Sequence, residues 1–345
     1  MSPRRISPPA LLTGLGVLLV ALIVVSLGTG AVSISPRQVV SILLEHAGVE
    51  GSGFTSQQDA VLWSIRLPRV LLGVTVGAGL GMAGAALQGI FRNPLADPQL
   101  IGISSGAAAG SALGILALEG AVGTIAGPIG AFVGGLAAGA AVYTLARHQG
   151  RTEVVTLILA GIAVAALGGA LAGFLSVLAD DPRLGTPLFY SLGGLGVSTW
   201  GLLGITVPFV LVGLVLLPGE GRRLDLVLLG EREAYHLGVD VEATRRRVLL
   251  LSTAVVGATV AAAGVIGFVG LLVPHAIRLG AGPGHRLLLP ASAIGGAALV
   301  VGADTLARTV ASPLEVPVGL LTALVGGPAF LWLLRRTRRE QGGWG

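Results

Sequence analysis

Cysteine and lysine are both absent from the chain, and charge of either sign is scarce. Without cysteine there is no disulfide, no thiolate chemistry and no Cys-ligated metal site. Without lysine there is no phosphate-binding loop of the Gly-Lys-Ser/Thr type, whose lysine reaches the phosphates. Any ATP-derived energy must therefore come from another polypeptide. Charged residues make up 11% of the sequence, against about 25% in an ordinary soluble domain. That is too little charge to wet the surface of a 345-residue globule.

What is present is apolar: 53% of residues, with a mean hydropathy of +0.87. Runs of roughly 20 such residues recur, long enough to cross ~30 Å of hydrocarbon as helices. In lipid every backbone polar group must be satisfied internally, which leaves a helix bundle or a closed barrel. A barrel would show short alternating segments; unbroken Leu/Val/Ala/Gly runs predict helices. Spans are expected near 8–30, 67–90, 98–118, 122–146, 154–178, 189–217, 247–264, 268–281, 287–309 and 317–334. The fold class is thus all-α and polytopic, a single membrane domain over residues 1–345. The first run, behind Arg4 and Arg5, is longer than the apolar core of a signal peptide and is read as a retained anchor.

All 22 basic residues are arginine, and they lie between apolar runs rather than on one face, a pattern that does not suggest nucleic acid. With the N-terminus placed in the cytoplasm and the spans alternating, 17 of the 22 fall inside, in line with the positive-inside rule. This predicts both termini inside a cytoplasmic membrane. Glycines such as Gly73, Gly77, Gly79, Gly81 and Gly84, and Gly134, Gly135 and Gly139, read as close helix packing. A role in rocking or kinking pathway helices is the alternative.

Four stretches break the apolar background. Arg66-Leu67-Pro68-Arg69 puts two guanidinium groups on the outer side, against the general bias. They either snorkel to lipid headgroups or receive carboxylates of an external partner, which arginine binds in bidentate pairs. Between Gly89 and Gly106, Asn93-Pro94 and Asp97-Pro98 predict a tight turn. Ser104 and Ser105 follow it. They either line a passage or back-bond to their own helix.

The longest inner polar stretch, 218–247, holds Gly230-Glu231-Arg232-Glu233-Ala234-Tyr235-His236-Leu237-Gly238-Val239. It reads as a short surface helix closed by Gly238. Ala234, Leu237 and Val239 form an apolar patch on it that either rests on lipid or docks a cytoplasmic subunit. His236 has no partner at metal spacing. Lastly, Asp304 and Arg308 stand four residues apart on one helix face, and an acid inside a span suggests function. His275, after Pro274, either faces a polar interior or is structural.

At these stretches the chain resembles the iron-siderophore, haem and cobalamin permeases of ATP-binding-cassette importers, the FecCD type. The matching runs are RLPR, GAALQGIFRNPLADPQLIGISSGA, LGEREAYHLGVD, GFVGLLVPHAIRL and ADTLART…LEVPVGLLTALVGGPAFLWLL, in the family's order over residues 61–336. The resemblance implies a type II importer permease, a homodimer of ten-span subunits with two cytoplasmic ATPase subunits and an extracytoplasmic substrate-binding protein. It implies no cofactor and no catalytic residue. It maps binding-protein docking onto Arg66 and Arg308, ATPase coupling onto Gly230, Glu231, Ala234, Leu237 and Gly238, and the cytoplasmic gate near Arg151 and Thr152. Trp63-Ser64-Ile65 and the loop from Leu178 to Leu184 resemble the haem branch; Phe189-Tyr190 departs from it. The rival from another class is an ion-coupled secondary transporter, which would need more membrane acids than Asp304. A membrane enzyme is weaker still, since no nucleophile, acid pair or metal cluster converges.

Overall fold

A computed structural model describes residues 7–98, 102–148, 151–178, 192–310 and 314–340. Eight helices in it are long and apolar enough to cross a membrane, and two shorter apolar helices, Val269–Ala281 and Val318–Trp332, accompany them. They are α1 (Pro8–Gly28), α3 (Ser56–Ile90), α4 (Ile103–Val122), α5 (Ala126–Leu145), α6 (Val154–Leu178), α7 (Trp200–Leu216), α10 (Val241–Ala263), α11 (Val269–Ala281), α12 (His285–Thr309) and α13 (Val318–Glu340). Between them lie the short helices α2 (Pro36–His46), α8 (Gly221–Val227) and α9 (Glu231–His236). Each expected span has its helix. The start of the sixth, and the loop 179–184, lie outside the described residues. Among the described residues one exception to all-α structure exists: β1 (Arg147–His148) pairs antiparallel with β2 (Arg151–Thr152).

The boundaries follow local chemistry. Arg92 at φ 49° ends the segment after α3, and the Asn93 carboxamide accepts the Leu95 N–H at 2.9 Å. The expected turn therefore forms, and α4 starts later than the apolar run. α10 begins six residues before its apolar run, because Asp240 caps it by accepting the Ala243 N–H at 2.9 Å. Within α3 the turns over Val61–Arg66 are wide, with Leu67 N–H reaching back to Leu62. This widening precedes Pro68, whose ring would clash with a regular turn.

α3, α10 and α12 form the buried centre, while α1, α6 and α7 keep most of their apolar surface outward. Small residues decide how closely the centre packs. A side chain at Gly77 would run into the backbone of Gly296, and one at Gly110 into that of Gly130, so α3 meets α12 and α4 meets α5 backbone to backbone. This favours close packing over the kinking alternative at these positions.

Candidate functional site

The polar side chains gather at the two ends of the bundle. At one end, the last carbonyls of α1 have no intrahelical donors, as at any helix C-terminus. Arginines supply them. Arg66 donates to Leu27 O at 2.7 Å and to Val32 O, and Arg308 to Ser26 O at 3.1 Å and Ser26 Oγ at 2.8 Å. Arg66 is only 4% exposed. Arg66 is therefore tied to the end of α1 and the link that follows it, and Arg308 to the end of α1, so neither guanidinium group stands free.

Asp304, 2% exposed, does face Arg308, at 3.2 Å, but its stronger partner is on another helix. Arg69 Nε donates to both its oxygens, at 3.0 and 3.2 Å, and Arg69 Nη1 holds the exposed Glu315 at 3.0 Å. The clamp thus joins α3, α12 and the entrance to α13. In the sequence Arg69 stands only as half of an arginine pair; its carboxylate partner lies 235 residues away. Beside the clamp, the His46 ring lies flat on Trp63 at 3.8 Å, and the Trp200 indole donates to the Trp63 carbonyl at 3.0 Å.

At the opposite end sits α9. Gly230 and Gly238 bracket it at φ 129° and 80°, conformations that favour glycine. The Val239 N–H returns to Ala234 O at 3.0 Å and the Gly238 N–H to Tyr235 O at 3.0 Å, closing the helix. The expected surface helix is therefore present, but of the apolar patch read from spacing only Leu237 faces outward. Ala234 is fully buried and Val239 is buried with it. Tyr235 (74% exposed), Leu237 (58%) and Leu229 instead form the outward apolar surface. Six residues are too few for a helical period to show which face points inward.

Glu231, half exposed, reaches Arg245 at 2.5 Å. Arg245 is buried, and its Nη1 also donates to Glu242 at 3.2 Å and to the Thr152 carbonyl at 2.9 Å. Thr152 bonds the same Glu242 through its N–H at 3.2 Å and its hydroxyl at 2.6 Å. The backbone of Arg151 pairs with His148. The structure thus brings together Thr152 and Glu231, singled out separately in the sequence, through an arginine that was counted there only as positive charge.

Ser104 and Ser105 open α4, where Gly102 and the Ser105 backbone press on Gly161 and Gly168 of α6. The Ser104 hydroxyl is buried without a hydrogen-bond partner and makes no back-bond. His275 Nε2 is likewise buried and unpartnered.

The sequence model of the FecCD transport family matches residues 18–336. The hemin transport system permease protein HmuU of Yersinia pestis is 45% identical, over 95% of this chain and 97% of its own length. The cobalamin import system permease protein BtuC of Halobacterium salinarum is 46% identical, over 82% of this chain and 75% of its own. A solved structure described as an inward-facing conformation of a metal-chelate type ABC transporter superposes with a TM-score of 0.82 at 34% identity, covering 95% of this chain and 99% of that one. With the family model matched over residues 18–336 and a relative 45% identical over 95% of this chain, the chain belongs to the FecCD transport family.

Proposed function

We propose that this chain is the permease subunit of an ATP-binding-cassette importer that carries haem, or a related iron chelate, across the cytoplasmic membrane. The observation that carries the substrate is the near full-length match to a hemin permease. Identity alone does not separate haem from cobalamin, since the cobalamin relative is equally similar over a shorter stretch. Trp63, in the stretch that resembles the haem branch, stacks on His46 at the clamp end. The resemblance at 178–184 and the departure at Phe189-Tyr190 lie outside the described residues, except for Leu178.

Two copies would enclose the passage between them, with α4 contributing Ser104 and Ser105 and α6 packed against it. The Glu231 end faces the cytoplasm, on the distribution of arginine, with both termini on the same side. There, Tyr235, Leu237 and Leu229 offer an ATPase subunit an apolar surface to cover. The opposite end receives an exported binding protein, an assignment that rests on the resemblance. A partner carboxylate reaches Arg66 or Arg308 only if the α1–α2 link moves aside.

The test is ATP-dependent uptake into proteoliposomes holding this chain, its ATPase and its binding protein. Haem should accumulate, and a ferric hydroxamate more weakly. Accumulation of cobalamin alone would overturn the substrate, and uptake driven by an ion gradient without ATP would overturn the importer.

A further inference from the structure

If an ATPase docks on α9, its motion must cross from a six-residue helix to the helices that line the passage, and the side chains around Arg245 form a route. The inference rests on that docking. One buried guanidinium group contacts three separate pieces of chain: Glu231 at the start of α9, Glu242 in the first turn of α10, and the carbonyl of Thr152 in β2. β2 leads directly into α6. The hairpin is otherwise closed by the short β pairing and by the Glu153 N–H on Ala146 O at 3.0 Å. Neither α9 nor the hairpin has a core large enough to hold its position alone.

An apolar contact between these pieces would let them slide, because it is non-directional. Charge-assisted hydrogen bonds fix distance and direction, under pull as well as push. Thr152 is held twice by Glu242, so the hairpin cannot turn without moving that carboxylate. From β2 the chain continues along α6, whose Gly161 and Gly168 touch the N-terminal turn of α4 beside the unpartnered Ser104 hydroxyl.

We propose that Arg245 is a positioning residue that transmits movement of α9 through Thr152 to α6, and so opens or closes the passage at this end. Glu231→Gln weakens the link by removing the charge of its half-exposed acceptor, and Arg245→Met removes it. Both are compared with the wild type in proteoliposomes with the ATPase and binding protein, reading ATP hydrolysed and haem moved. With ATP hydrolysis and transport both counted per ATPase subunit retained in the complex, Glu231→Gln should lower haem moved per ATP about tenfold, the scale of one charge-assisted hydrogen bond. Unchanged haem per ATP in Glu231→Gln overturns the proposal, and so does a proportional fall of hydrolysis and transport. Should Arg245→Met not fold, Glu231→Gln decides alone. Leu237→Asp tests the docking separately. If it retains the ATPase while Glu231→Gln uncouples, the docking face is wrong and the link stands.

Discussion

The two ends of the bundle use the same chemistry, arginine against carboxylate, in opposite surroundings. At the clamp end, Arg69 and Asp304 are both buried and come from long central helices. At the other end a buried arginine meets Glu231 and Glu242, which stay in contact with water, and Glu231 sits on a six-residue helix. A sealed pair cannot exchange partners without leaving a bare charge in a dry site. A half-wetted pair can, because water takes the place of the lost partner. The first therefore suits a fixed joint and the second a moving one.

Breaking the clamp should cost most. Arg69→Met leaves Asp304 buried with Arg308 as its remaining counter-ion. The expected loss is about 3–5 kcal/mol, read as the unfolding midpoint of the detergent-solubilised protein. Arg69→Met combined with Asp304→Leu should recover part of it, since the buried carboxylate is gone while Arg308 keeps only its bonds at the end of α1; a double variant as unstable as the single would place the cost in Arg308 rather than in Asp304. Next comes Ala234→Asp, which places a carboxylate in a fully buried site of α9. It should lower stability by about 1–3 kcal/mol, and a neutral effect would mean that α9 lifts readily off the bundle. The smallest effect on folding belongs to Leu237→Asp, three positions along on the exposed face. Stability should stay within about 0.5 kcal/mol while the ATPase no longer co-purifies. Equal behaviour of the two aspartates would erase the distinction between the faces of α9.

Much of this was legible in the sequence, and for a local reason in each case. The spans show because a helix in lipid must satisfy its own backbone, which leaves an apolar run as its trace. α9 shows because Gly230 and Gly238 stand where positive φ is needed. The Asp304–Arg308 spacing also reads correctly, since four residues is one helical turn. Hidden features depend on distant chain. Nothing near Arg69 points to Asp304, and nothing near Arg66 tells that the α1–α2 link folds over it. Likewise Arg245, among three consecutive arginines, carries no mark that distinguishes it from Arg246 or Arg247; only the fold brings Thr152 and Glu231 to it.

The clamp also bears on how the chain is built. α3 is synthesised long before α12, so Arg69 enters the membrane when its carboxylate does not yet exist. A lone charge costs up to about 2.5–3.5 kcal/mol to insert at the centre of a span and less toward its ends, where Arg69 stands. Asp304 faces the same penalty later, but Arg308, one turn along its own helix, travels with it as an escort. The local pair persists at 3.2 Å in the folded chain, and the long-range pair joins it where α3 and α12 meet through Gly77 and Gly296.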